Sequence, residues 1–274
     1  MVLLSASFEA ARAESRRVPW NTWLQIAGPV LAVVFAGVSI AFREGLPGAI
    51  GQAIAGAAIH AGFLAVGWVL IGGPRSDWRG PALRLAGIVV VASLVSRLGG
   101  WAPFAYLLVP IALLAEANAR ADFRACGFVW PDLRAAALGL AGGLFLGLHL
   151  LVTSSLTFGH LVRVDSASTY WAAAAYDLGV SAPTAEWLFR GAVFSTAWRC
   201  WAFAPAVALS TGLAVLRYVL DPNLPGSPEV WVGAALYTGL IGVAACALRA
   251  QSGSLLPGYL MTATFFLAYR ALGH

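Results

Sequence analysis

Long apolar runs alternate with short polar connections along almost the whole of this 274-residue chain. The runs lie near 20–42, 51–72, 82–99, 102–117, 135–157, 170–194, 203–219, 230–249 and 254–272. Most approach the roughly 20 apolar residues that cross a bilayer as a helix. The connections run from Arg43 to Gly48, Gly73 to Gly80, Arg120 to Arg134, His160 to Ser168 and Asp221 to Glu229. The pattern predicts an all-α integral membrane protein, a polytopic bundle of about eight or nine transmembrane helices. Residues 1–19 form an N-terminal cytoplasmic segment, 20–160 a first group of helices and 161–274 a second. The runs 82–99 and 102–117 are short and joined by Gly99-Gly100, which predicts either a tight hairpin or a re-entrant segment. No inverted repeat of the transporter kind is visible.

Composition agrees with the pattern. The chain is 60% hydrophobic and 11% charged, whereas soluble domains are about 45–50% apolar and about 25% charged. No soluble domain of ordinary size fits between the spans. The first run follows Arg12, Arg16 and Arg17 and has no small-residue cleavage site, so it reads as a retained span. Every basic residue is Arg and none is Lys. With the excess of Ala, Gly, Leu and Trp, this points to a GC-rich bacterial genome, and hence to the bacterial cytoplasmic (inner) membrane.

The net charge of +5 says nothing about nucleic acid, which is not an expected partner. It reflects where Arg gathers. With the N-terminus in the cytoplasm, that side receives Arg12, Arg16, Arg17, Arg75, Arg79, Arg84, Arg120, Arg124, Arg134, Arg199 and Arg249. The opposite side receives Arg43, Arg97, Arg163 and Arg270. That asymmetry is the positive-inside signature and favours a cytoplasmic N-terminus. Cys126, Cys200 and Cys246 lack metal or redox spacing and read as structural thiols; no cofactor or metal is expected.

Trp20, Trp23, Trp78, Trp101, Trp130, Trp198 and Trp201 fall near span ends, where interface anchors belong. Gly139, Gly143 and Gly147 form a small-residue ridge on one span, suited to internal helix packing or to docking another membrane subunit. Ionisable groups within spans are costly and mark candidate sites: His60, Glu116, His149, Asp177, Glu186, Arg190 and Arg217. Glu116 and Arg217 lie near span ends, within reach of headgroup water. His60 and His149 suit hydrogen bonds to neighbours better than metal ligation. Asp177 is nine residues before Glu186 and faces away from it in a continuous α-helix. Glu186 and Arg190 stand at i and i+4 and can pair directly. That pair reads either as a structural ion lock or as a carboxylate tuned for general-base work.

The surrounding letters, AEWLFRGAVF, resemble the first motif of the CPBP/ABI family, intramembrane proteases that include CAAX-processing enzymes. That motif usually has two Glu, three residues and Arg. Here Ala185 stands in the first Glu position, while Glu186, Phe189, Arg190 and Gly191 match. A second family motif, Phe-x-x-x-His, falls on Ala214 and Tyr218, beside Arg217. The third falls on GSLLPGYLMTATFF, where Thr262 replaces the His and Phe266 the Asn. The likeness covers about residues 170–272, and the order of the motif helices is preserved. In the family, the first Glu and the two His are thought to activate and position the attacking water. Ala185 and Thr262 do not titrate usefully, and Tyr has a pKa of about 10.

The resemblance therefore implies a protease scaffold without its base: a pseudoenzyme that binds, scaffolds or serves as an accessory subunit. Its partners would be other integral membrane subunits or a transmembrane peptide, within the lipid bilayer. Two alternatives stay open. One is a divergent active endopeptidase with Glu186 as base and His149 or His60 lining a polar cavity with Arg217. The other is a small transporter.

Overall fold

The computed structural model describes residues 48–72, 79–119, 127–159, 162, 166–219 and 227–272. The expected span near 20–42, with Trp20, Trp23, Trp78 and Cys126, lies outside them. The described residues are helical, with one isolated antiparallel bridge between Val162 and Leu272. Among the described residues, four stretches are long and apolar enough to cross a membrane: Gly80–Leu98, Ala102–Ala119, Leu133–Phe158 and Pro228–Ser252. They mark the chain as an integral membrane protein.

In chain order the helices are α1 (Gly48–Gly72), α2 (Arg79–Val95), α3 (Leu108–Ala119) and α4 (Leu133–Phe158). Then come α5 (residues 167–200), α6 (Phe203–Val219), α7 (Pro228–Ser252) and α8 (Leu256–Tyr269). Local chemistry fixes several ends. Asp132 caps α4 by accepting from the Arg134 amide, and Gly159 closes it at φ 69°. Ser166 caps α5 and Ser227 caps α7, each accepting from a backbone amide three residues on. Pro228 and Pro257 occupy first turns, where a missing N–H costs nothing. Gly99 and Gly100, at φ 79° and 57°, turn the chain between α2 and α3. Short 3₁₀ segments flank them, so this connection is a tight hairpin. At its far end Arg84 and Glu116 form a two-point ion pair.

The glycine ridge faces inward. A Cβ at Gly139 would strike the Pro257 carbonyl, one at Gly143 the Met261 carbonyl and the Thr264 hydroxyl, and one at Gly147 the Ala268 methyl. The contacts advance in the same direction on both helices, so α4 and α8 run parallel with their backbones touching. In lipid, where burial of apolar surface does not drive helices together, such close van der Waals contact is the main source of association. Internal packing, rather than docking of another subunit, uses these glycines.

Tryptophan divides into two populations. Trp101 and Trp130 lie exposed at helix ends, as interface anchors should. Trp198 departs from the expectation. It is buried with Phe194, stacked at 5.3 Å, and meets the Phe203 edge. The α5–α6 turn folds back and encloses it. Trp187 is buried too; its ring stacks on Phe128 at 5.6 Å and its indole N–H donates to the Leu64 carbonyl. It lies where a Gly67 side chain would otherwise stand.

Overpacking a tight contact costs about 1–3 kcal/mol, and a backbone-to-backbone approach leaves little room to relax. Gly143→Ala should therefore lower the melting temperature of the detergent-solubilised protein by several degrees. Gly212→Ala has open space around its new methyl and should be neutral or slightly stabilising, by up to about 1 kcal/mol. Equal melting of the two variants would rule out the ridge as the α4–α8 contact.

Candidate functional site

The helix carrying the AEWLFRG motif is not a regular α-helix. Residues Asp177–Ser181 and Glu186–Phe194 are π-helical, separated by one α turn, Ala182–Ala185. The residues at each junction keep right-handed helical torsions, so α5 is continuous. A π turn closes i→i+5 bonds and takes up about one more residue than an α turn. It leaves carbonyls off the regular ladder, and hydroxyls meet two of them. Ser195 Oγ donates to the Arg190 carbonyl at 3.1 Å, and Ser210 Oγ on α6 donates to the Phe189 carbonyl at 2.7 Å.

The extra residues change which side chains share a face. Asp177 was expected to point away from Glu186 on a regular helix; instead both meet α8. Arg270 donates from Nε and Nη2 to the Asp177 carboxylate at 2.6 and 3.0 Å. Two turns earlier on α8, Thr262 Oγ1 donates to Glu186 Oε1 at 2.8 Å. Nine residues on α5 thus span nearly whole turns, and α8 runs antiparallel alongside.

Glu186 and Arg190 are each only 2% exposed. Arg190 Nη1 lies 3.6 Å from Glu186 Oε1, within ion-pair range but beyond a good hydrogen bond. Glu186 Oε2 presses against α8, where an added Cβ at Gly258 would lie 2.6 Å away. Among the described residues, neither Glu186 Oε2 nor Arg190 Nε has a hydrogen-bond partner. The carboxylate is therefore held by one hydroxyl and one guanidinium, between backbone and apolar side chains.

The other motif positions gather near the pair. Ala185 and Ala214 are buried in one apolar cluster with Phe63 and Phe189. Tyr218 meets Phe266 edge-on, ring centres 5.8 Å apart. The Arg217 guanidinium sits over the rings of Tyr218 and Phe63, at 5.3 and 5.8 Å. Aromatic faces receive this charge, so it is not simply reaching for headgroup water. Methyl groups and rings thus fill the surroundings of Ala185, Ala214 and Tyr218.

The two histidines part company. His60 is buried on α1, with Nδ1 2.6 Å from Thr184 Oγ1 and Nε2 2.7 Å from the Tyr176 hydroxyl. Thr184 donates onward to the Val180 carbonyl at 2.7 Å. Its oxygen therefore accepts from His60 Nδ1–H, leaving Nε2 to accept from Tyr176. Tyr176 and Thr184 bracket the first π segment, so His60 clamps that irregular stretch of α5. His149 does not join Glu186, His60 or Arg217. It is exposed on α4, hydrogen-bonded through Nδ1 to Tyr237 of α7 at 2.8 Å. A shared polar cavity of His60, His149 and Arg217 is thus not what the fold builds.

Sequence reasoning missed the Asp177–Arg270 pair, because the π segment Asp177–Ser181 that aligns it leaves no periodic signature. It missed Gly258 as well, although that glycine sits inside the GSLLPG stretch already singled out. Cys246 is buried with its thiol 3.7 Å from Ser210 Oγ, and Cys200 is half-buried; both are free. The described residues contain no group of three or more His, Cys, Asp or Glu placed to hold a metal ion.

No family model, curated protein or solved structure matches the chain.

Removing one partner of a buried ion pair costs about 3–5 kcal/mol, while exchanging both for apolar groups of similar volume is often neutral. Arg190→Ala should accordingly reduce folded protein in the membrane and its thermal stability in detergent. The double variant Glu186→Leu/Arg190→Met should recover most of that loss. An Arg190→Ala protein that melts like the parent would show that the pair holds nothing together.

Proposed function

We propose that the chain is a catalytically inactive relative of the CPBP/ABI intramembrane proteases, serving as a binding, scaffold or accessory subunit of a membrane complex. The observation that carries this reading is the Thr262–Glu186 hydrogen bond. Thr262 occupies the position where the family resemblance calls for a histidine, and its hydroxyl bonds the carboxylate. A threonine there can donate a hydrogen bond but cannot take up a proton near neutral pH. The other two positions, Ala185 and Tyr218, supply a methyl group and a phenol packed on Phe266. The divergent-protease alternative is weakened in turn: His60 is engaged by Thr184 and Tyr176, and His149 lies on the outer face.

The membrane is the bacterial cytoplasmic membrane, crossed about nine times from a cytoplasmic N-terminus. Support comes from contacts between connections. The Leu255 amide donates to the Gly127 carbonyl at 2.9 Å, joining two connections assigned to the cytoplasmic side. Val162 pairs with Leu272, both assigned to the outside. Strict alternation also requires α4 parallel to α8 and α5 antiparallel to it, as their contacts run.

Two measurements test these statements. Purified protein in vesicles should release no fragments from prenylated or transmembrane peptides above the background of Glu186→Gln; cleavage that depends on Glu186 would overturn the pseudoenzyme reading. An alkaline phosphatase fused after residue 272 should be active, and one fused after residue 253 inactive. The reverse pattern would invert the topology.

A further inference from the structure

The residues that lead into α4 do more than join two helices. Residues 127–132 form no helix of their own, yet they lie against α7, the α7–α8 connection and α5. Gly127 turns at φ 81° beside the Arg249 guanidinium, so close that an added Cβ would lie 2.5 to 2.9 Å from its atoms. Arg249 is buried at the end of α7, where Nη1 donates to the Gly253 carbonyl. The Gly127 carbonyl accepts from the Leu255 amide at 2.9 Å. Phe128 stacks on Trp187 of α5, the ring planes 6° apart. Two residues on, Trp130 is exposed, in the position of a headgroup anchor.

This strap holds the turn that walls off the buried ion pair. Leu255 caps α8 and lies over Gly191 of α5, its Cδ1 3.2 Å from where a Cβ there would stand. It belongs to the same apolar cluster as Trp187 and Trp68, with Phe128 packed against it. Its amide precedes the hydrogen-bond ladder of α8 and is spent on the strap instead. Three residues further, Gly258 presses on Glu186 Oε2. Behind this turn Glu186 Oε2 and Arg190 Nε, both in side chains 98% buried, have no hydrogen-bond partner among the described residues. Charged groups left so are costly, and water is what ordinarily meets them.

We propose that Gly127–Asp132 is a lid on the carboxylate site. It opens by releasing the Leu255 amide and the Phe128 ring, and the freed first turn of α8 admits water to Glu186 Oε2 and Arg190 Nε. Arg249 is its latch, and position 127 is glycine because a side chain there would collide with that latch. Gly143 and Gly147 hold the rest of α8 against α4, so the first turn lifts without unseating the helix. The lid stands whether or not Glu186 does chemistry, and so fails or survives independently of the cleavage assay.

Hydrogen exchange of the full-length protein in nanodiscs, read at single amides by fragmentation mass spectrometry, follows the Leu255 amide directly. It should exchange at least about tenfold faster than interior amides of α7, as expected of a unit that opens below the global free energy. Gly127→Ala, which sets a methyl against Arg249 at a strained torsion, should speed it about tenfold further. Water entry is read with silver ion, a charged thiol reagent small enough to follow water, on Thr262→Cys in a chain whose three native cysteines are replaced by Ala. Silver capture should accelerate with Gly127→Ala in step with Leu255 exchange.

A Leu255 amide that exchanges together with the interiors of α7 and α8 would show that no lid opens. Faster Leu255 exchange in Gly127→Ala with unchanged silver capture would show a loose strap that covers nothing. Either result overturns the proposal. Should Gly127→Ala fail to accumulate, Phe128→Ala takes its place in both measurements and decides in the same way. Loss of that one aromatic stack should speed Leu255 exchange about two- to tenfold.

Discussion

A charge inside a bilayer has no water to turn to, so each must be answered by a neighbouring side chain. In this bundle one short helix, α8, answers both acids of α5. Thr262 meets Glu186 and Arg270 meets Asp177, while the other side of α8 receives the glycine ridge of α4. Thus α8 carries polar pairing on one side and backbone contact on the other. The positions of α4 and α5 both follow from it. A polar interaction in a low-dielectric medium is strong when satisfied and expensive when not. This gives the arrangement a single register: sliding α8 by one residue would strand two carboxylates and drive glycine positions into carbonyls.

The π segments of α5 make that register attainable. On a regular helix, residues nine apart lie half a turn out of phase, and one acid would face lipid or an apolar neighbour. The wider turn at Asp177–Ser181, between the two acids, brings both round to α8. The irregularity has its own supports. His60 braces the first segment through Tyr176 and Thr184, and Ser195 and Ser210 satisfy carbonyls of the second. Helices with π turns are common at functional sites.

Much of this was legible in the sequence. Apolar run length located α1 to α8 to within about six residues at either end, because the backbone inside lipid must form helices or closed barrels and runs of about 20 apolar residues fit the helix. The spacing of Gly139, Gly143 and Gly147 identified a packing face, and the i, i+4 relation paired Glu186 with Arg190. What could not be read depends on departures from regular geometry. The phase of Asp177 was misjudged because one π segment, Asp177–Ser181, intervenes; Pro183, which has no N–H to give the helical ladder, was the one marker available. Trp198 was misplaced because its position near a helix end is compatible with both headgroups and core; the fold-back at Trp201 decides it. His60 and His149 look alike as lone histidines in apolar runs, and only the packing of α1 and α4 sets one inside and the other out.

The lengths of α4 and α8 are unequal in a way that ties the site to its surroundings. α4, which presents much of its surface to lipid, exceeds the hydrocarbon thickness, while α8, with 14 residues, is about 21 Å long and falls short of it. A helix longer than its membrane tilts, and the glycine contacts oblige α8 to tilt with α4. In a thinner bilayer the two helices therefore lean as one unit, with α8 keeping its contacts to Gly139, Gly143 and Gly147.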